Sequence, residues 1–370
     1  MGNALINIFS GQKLSTKFAT LLVCLGASLL PMTSIAQVQD EASLIIKSQQ
    51  DYQAEWISEH GSLTSPAPQP LANLLSSLPP PQAKPAYNAL SSRKGLATIT
   101  KKYVTKDVSI LNVIDTDVTL QDRKIPVRIY CPPSDKPRDV LFFIHGGGHL
   151  SGSVEVYDPI AKRLAHATRN TVVAIDYRLA PEAPYPAGLN DARDVLLQVY
   201  DILDKQHISW NAHLTLAGDS GGGAFSATLA GDLQKEKPGF ISKLVLIYPS
   251  LDYTLKWPSV KENGTGKLLD ETKIAWYFDQ YFQHNEDRQA LSPLYRPITR
   301  SFPPTLIFSG GLDPLRDEEF AFVARLNAAG VPVTHVHLPE VVHAFLMLED
   351  LVPNETTQVY HDIADFVEAH

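Results

Sequence analysis

Gly218-Asp219-Ser220-Gly221-Gly222 satisfies the pattern G-x-S-x-G. A serine with glycines two positions to either side suits a strand that turns sharply into a helix, because small residues let the two elements crowd together beneath an exposed hydroxyl. The free N–H groups of the helix start also favour negative charge at that hydroxyl. The pattern alone is weak. With Gly and Ser each near ~7% of residues, a chain this long carries it by chance roughly one time in ten. Hydrolysis of an ester by serine needs three further things: a base within reach of the hydroxyl, a carboxylate to orient that base, and donors for the tetrahedral oxyanion. Asp313 and His343 follow Ser220 in that order, and His145-Gly146-Gly147-Gly148-His149 precedes it.

These residues must be brought together by their flanking elements. Val140 to Ile144 is a continuous apolar run of the kind a strand buried on both faces requires, and it ends at His145. Three successive glycines cost backbone entropy, which points to a backbone that aims N–H groups at an oxyanion. Leu214 to Ala217 feeds Ser220, with a helix expected over Ala224 to Leu233. Thr305 to Ser309 precedes Asp313, and Val333 to Leu338 precedes His343. Further strands are expected at Val108 to Ile114, Ile125 to Tyr130, Val172 to Asp176 and Leu244 to Tyr248, the first two as an antiparallel pair. Helices are expected at Asp158 to Arg169, Asn190 to Leu203, Phe320 to Ala329 with Asp317 as N-cap, and Thr356 to Ala369. Short apolar runs alternating with helices mean a mostly parallel sheet covered on both faces, whose site lies beyond the carboxyl ends of the strands. The order Ser220, Asp313, His343 is that of the α/β-hydrolase fold.

The 370 residues carry 40 Asp and Glu against 32 Lys and Arg, a formal charge of −8. No basic cluster points to nucleic acid, and the 44% hydrophobic content suffices for one large core. Residues 1–36 read as a secretory signal peptide: Lys13 and Lys17, an apolar run from Phe18 to Leu30, and Ser34-Ile35-Ala36 as the cleavage site. That run is short for a membrane span, so the mature chain is expected to be exported, periplasmic or secreted, with no stable span. After cleavage Cys131 is the only cysteine left, so no internal disulfide can form. Residues 37–103 are a proline-rich cap or linker region with a helix expected over Glu41 to His60, and 104–370 the catalytic domain. The β-α rhythm breaks at about 250–300, where Trp276, Tyr277, Phe278, Tyr281 and Phe282 mark an insertion that is expected to line an acyl pocket in part.

Several motifs together resemble the hormone-sensitive lipase family of bacterial esterases: His145-Gly146-Gly147-Gly148, Tyr177-Arg178-Leu179-Ala180-Pro181-Glu182, Gly218-Asp219-Ser220-Gly221-Gly222, Tyr248-Pro249, Ser292-Pro293-Leu294, Asp313-Pro314-Leu315-Arg316-Asp317 and His343. The resemblance implies an α/β-hydrolase fold with a helical cap from 37–100 and 250–300. It implies a serine carboxylesterase acting on small-molecule esters, with Ser220, Asp313 and His343 catalytic and no cofactor or metal. It also implies that the amides of Gly147, Gly148 and Gly221 form the oxyanion hole and that His145 anchors its loop. An amidase or deacetylase on the same triad, or a binding protein on the same scaffold, stays open at this level, as does a homodimer. Two positions depart from the family pattern, which usually has Ala at 221 and Gly at 344; Ala344 matters only if its backbone needs φ > 0. Among rival groups, Asp252 and Asp317 are expected to be structural, His335 and His337 to be satisfied strand histidines, and Asp219 and Glu182 to support the elbow by hydrogen bonding.

Overall fold

The computed structural model describes residues 35–80, 86–109, 112–120 and 122–369. Internal contacts divide the chain into Met1–Ala42 and Ser43–His370, and the second unit holds the sheet. The expected leader lies outside the described residues up to residue 34; its last two residues open helix α1. Among the described residues no helix is long and apolar enough to cross a membrane.

Eight strands form one sheet: β1 (Asn112–Thr119), β2 (Lys124–Cys131), β3 (Arg138–Ile144), β4 (Thr171–Ile175), β5 (Trp210–Asp219), β6 (Lys243–Ile247), β7 (Thr305–Leu312) and β8 (Val333–Val342). Their order is β1-β2-β4-β3-β5-β6-β7-β8. β1 pairs antiparallel with β2 and β2 with β4, while every pairing from β4 to β8 is parallel. The helices are α1 (Ile35–His60), α2 (Gln69–Ser76), α3 (Ala89–Tyr103), α4 (Asp158–Thr168), α5 (Ala187–Leu196), α6 (Val199–Lys205), α7 (Ser220–Glu236), α8 (Pro258–Asn263), α9 (Glu271–Tyr281), α10 (Arg288–Leu291), α11 (Arg316–Ala328) and α12 (Pro353–Glu368).

The continuous apolar runs are explained by burial on both faces. Along β3, Val140, Phe142 and Ile144 enter one core layer with α5, α6, α7 and α11, and Leu141 and Phe143 enter the other with α4 and α12. Each such phenylalanine stabilises the fold by about 1.5–3 kcal/mol through burial. The parallel pairing then fixes the site. β3, β5, β7 and β8 all point the same way, so the loops after them, carrying His145 to Gly148, Ser220, Asp313 and His343, emerge at one edge.

Several boundaries differ from the sequence expectation, four of them for a visible physical reason. The first strand starts at Asn112, not Val108, because it is an edge strand with one solvated face: its acidic Asp115 stands opposite Arg128 and is bonded to it at 2.6 and 3.0 Å. The expected single helix over 190–203 is two, since the turn tightens where Gln198 N–H donates to Val195 O at 3.1 Å. α7 begins at Ser220 itself, so the three glycines after it are helical. α11 begins at Arg316, and Asp317 lies in its first turn without capping it; that carboxylate instead accepts Ser259 N–H at 2.9 Å and Gln53 Nε2–H at 2.7 Å.

Candidate active site

Ser220 directly follows β5 and starts α7 with φ 48°. A left-handed backbone costs an ordinary residue about 1–2 kcal/mol, and the crowding around it shows what holds it there. A side chain at Gly222 would run into the carbonyls of Ile144 and His145. The elbow is therefore clamped against the end of β3, and the side chain of Ser220 is left at the surface of a cavity of about 890 Å³ that includes space open to solvent.

The structure brings the three predicted residues into one hydrogen-bonded line. Ser220 Oγ is 2.8 Å from His343 Nε2, and His343 Nδ1 is 2.7 Å from Asp313 Oδ2. Asp313 is fully buried, and its other oxygen accepts the N–H of Leu315 at 2.8 Å. Against a carboxylate Nδ1 must carry its proton, which leaves Nε2 as the acceptor facing the serine hydroxyl.

The glycine loop faces the same cavity. Gly147 and Gly148 have φ 110° and 64°, and among the described residues no acceptor meets either N–H. The N–H of Gly221 lies in the first turn of α7, where the helical ladder supplies no acceptor. All three residues line the cavity with Ser220 and His343. A Cβ at Gly148 would lie 2.7 Å from the ring of Tyr277, so the aromatic insertion packs directly on this loop.

Supporting groups explain why the loops keep these positions. Asp219 accepts the N–H of Gly146 at 2.7 Å and the hydroxyl of Tyr157 at 2.9 Å, tying elbow to glycine loop. Burial pushes its carboxyl up to about 7, against the opposing effect of those hydrogen bonds. His145 packs between Tyr157 and Tyr177, with ring centroids at 5.2 and 4.4 Å, and its Nδ1 donates to Gly146 O at 2.8 Å. Burial holds it down at about 4, so it is neutral at neutral pH. Glu182 does not reach the elbow; it binds Arg93 of α3 at 2.6 and 2.9 Å. Asp252 is fully engaged with Trp257 Nε1–H at 2.9 Å, Tyr295 O–H at 2.8 Å and Thr254 N–H at 2.9 Å.

Three contributors carried no sequence signal for the part they play at the site. Asn263 sits in a glycosylation sequon, yet it is buried and its Nδ2 donates to the carbonyls of Gly311 and Asp313 at 3.2 and 2.9 Å, bracing the acid loop. Tyr157 binds Asp219 as described above. His149, directly after the glycine loop, stacks between Phe225 and Tyr281 at 4.5 and 4.1 Å. A methyl at Gly221 would lie 3.2 Å from the His149 ring and N–H, which accounts for glycine where the family usually has alanine. Ala344 has φ 59° and ψ 32°, so the family's usual glycine at that place is replaced in the one conformation where the change has a cost.

A family model for the alpha/beta hydrolase fold matches residues 141–347. An ethyl acetate hydrolase of Pseudomonas putida is 32% identical over 247 residues, covering 65% of this chain and 77% of the relative. The carboxylesterase NlhH of Mycobacterium tuberculosis is 34% identical over 239 residues, covering 62% of this chain and 73% of its own. Among solved structures, a hyperthermophilic esterase from the archaeon Pyrobaculum calidifontis superposes with a TM-score of 0.74 at 28% identity, covering 82% of this chain and 98% of that one. With the family model spanning more than half of the chain, this protein belongs to the α/β-hydrolases and, within them, to the hormone-sensitive lipase family of esterases.

Proposed function

We propose that this carboxylesterase uses Ser220 as nucleophile, His343 as base and then acid, and Asp313 as the orienting carboxylate, on esters with short to medium acyl chains. The observation that carries the reading is the unbroken line from Ser220 Oγ through His343 to Asp313, at 2.8 and 2.7 Å, opening on a cavity where the Gly147 and Gly148 donors meet no acceptor among the described residues. As Ser220 Oγ bonds to the ester carbonyl carbon, its proton passes to His343 Nε2. Charge develops on the carbonyl oxygen, which the amides of Gly147, Gly148 and Gly221 receive. The imidazolium is held by Asp313 and returns the proton to the alcohol oxygen as the C–O bond breaks. Water then attacks the acyl-enzyme, gives its proton to His343, and the acid departs as Ser220 recovers its hydrogen.

The chain-length expectation draws on the lining: Leu268, Leu269, Ile274, Phe278 and Met347 give the cavity apolar walls of limited extent. An ester series from acetyl to palmitoyl, assayed beside Ser220→Ala, tests both parts. Ser220→Ala is expected to lower kcat by about 10⁴–10⁶-fold, with acetyl to hexanoyl esters preferred over palmitoyl. Undiminished turnover by the variant removes the nucleophile assignment. Export through the leader at 1–36 and assembly as a homodimer are part of the same proposal; the N-terminal residue of the exported protein and its mass in solution test them.

A further inference from the structure

The helix α9 presents Lys273, Ile274, Tyr277 and Phe278 to the catalytic cavity, the spacing of one helical face. Tyr277 lies against Gly148, and the Lys273 ammonium sits 5.6 Å from the centre of the Tyr277 ring. Among the described residues that line the cavity Lys273 is the only lysine or arginine; of the two histidines there, His343 is committed to Asp313, and burial holds His149 down at about 3.

The other charges around α9 are sorted away from the cavity. Glu271 pairs with Lys261 at 2.5 Å, Asp279 with Arg288 at 2.6 Å, and Asp270 accepts Gly266 N–H at 3.1 Å. Lys273 alone has no carboxylate within ion-pair distance among the described residues. In a chain with a net charge of −8, an ammonium without a carboxylate partner, set beside the apolar Ile274, Tyr277 and Phe278 on the cavity side of α9, can pair with an anion on the substrate.

Building on the carboxylesterase reading, we propose that Lys273 is a specificity-determining residue that selects esters carrying a carboxylate at the far end of one arm, such as monoesters of dicarboxylic acids. The ammonium of this half-buried residue pairs with that carboxylate while Ser220 attacks the ester carbonyl at the other end.

The test compares kcat/KM for monoethyl succinate, adipate and suberate with ethyl butanoate, hexanoate and octanoate, and for carboxymethyl butanoate with ethyl butanoate to place the anion on the alcohol arm. At low salt the wild type is expected to prefer at least one carboxylated ester over its neutral partner by about threefold to fivefold. In 1 M NaCl that ratio should fall towards one. Lys273→Arg should keep the preference, Lys273→Met should abolish it, and Lys273→Glu should reverse it. Because Lys273 is half-exposed these variants are expected to fold, and the ratio within each variant cancels any general loss of activity. A wild-type ratio of one or less for every pair overturns the proposal, as does a preference that survives Lys273→Glu. Should the wild type cleave neither kind of ester, the carboxylesterase reading itself fails, which is a different result from cleaving both equally.

Discussion

Among the described residues two serines stand in short hydrogen bonds to histidine rings. Ser220 Oγ lies 2.8 Å from His343 Nε2; Ser309 Oγ lies 2.7 Å from His335 Nε2 and 2.6 Å from His337 Nδ1. Only the surroundings separate them. The first has a buried carboxylate behind the imidazole, a positive-φ turn that pushes the hydroxyl into a cavity, and unpartnered amides nearby. The second lies on neighbouring strands beneath α1 and is closed at both ends: Tyr52 O–H donates to His335 Nδ1 at 3.1 Å, and His337 Nε2–H donates to Leu63 O at 2.8 Å. Those two ends fix every proton between them. His335 Nε2–H must donate to Ser309 and Ser309 O–H to His337 Nδ1, so neither ring has a free lone pair to act as a base. A short serine–histidine bond is therefore not a nucleophile by itself; the anion behind the ring and the opening in front of it make the difference.

The sharpest way to break the comparison is to remove the anion. Asp313→Asn is expected to lower kcat by about 10⁴-fold, because an amide N–H facing His343 Nδ1 reverses the tautomer. Ser309→Ala should change kcat by less than about twofold while costing about 1–3 kcal/mol of stability through the donor and acceptor it leaves unpaired. Steady-state kinetics and denaturant unfolding on both variants check this. Comparable loss of turnover in the two would mean that the surroundings do not separate the sites.

Acid should distinguish them next. Burial holds His335 well below the usual imidazole range and His337 down at about 4. In the unfolded chain each titrates near ~6.5, so the unfolded state binds protons that the folded relay refuses. This stability is therefore fully present above about pH 6.5 and is lost as pH falls towards about 4, by about 3 kcal/mol for His337. Asp219, Glu318 and Glu319 contribute with the opposite sign, since burial raises their carboxyls and their stability is lost as pH rises. Comparing wild type with His337→Gln isolates the histidine: the melting temperature of the wild type should fall more steeply between pH 6.5 and 4.5. Parallel slopes would remove the relay from the acid response.

How much of this the sequence carried follows from how local each determinant is. β3 is legible because burial on both faces writes a continuous apolar run, and the shared edge of Ser220, Asp313 and His343 is legible because each follows a stretch with a strand pattern. The mostly exposed β1 had no such run and was placed four residues early. His149 illustrates the other limit: its neighbours Phe225, Tyr253 and Tyr281 are scattered along the chain, so no spacing announces their stack or explains Gly221. Asn263 was hidden for the same reason, its partners Gly311 and Asp313 lying 48 and 50 residues away. No spacing in the sequence marks Lys273, because the pairing of its neighbours' charges with Lys261 and Arg288 exists only in three dimensions.

Ala344 gives the smallest and most local test. It follows His343, and its φ of 59° places a methyl in a conformation that disfavours it; such a residue costs about 1–2 kcal/mol there. Glycine would remove that cost but would give the unfolded chain extra freedom worth about 0.4–1 kcal/mol. The difference favours Ala344→Gly by up to about 1.6 kcal/mol, which in a domain of this size is a rise of about 2 °C or less in melting temperature. The same loop sets where His343 meets Ser220, and Ala344 itself lines the cavity. If the neighbouring 3-10 turn at Phe345–Leu351, whose Met347 N–H donates to Ala344 O at 2.9 Å, already holds the loop, stability should rise with kcat within about twofold of wild type. A rise in stability with a large fall in kcat would mean instead that the methyl at Ala344, and the strain it carries, are what keep the imaginary line from Ser220 to Asp313 straight.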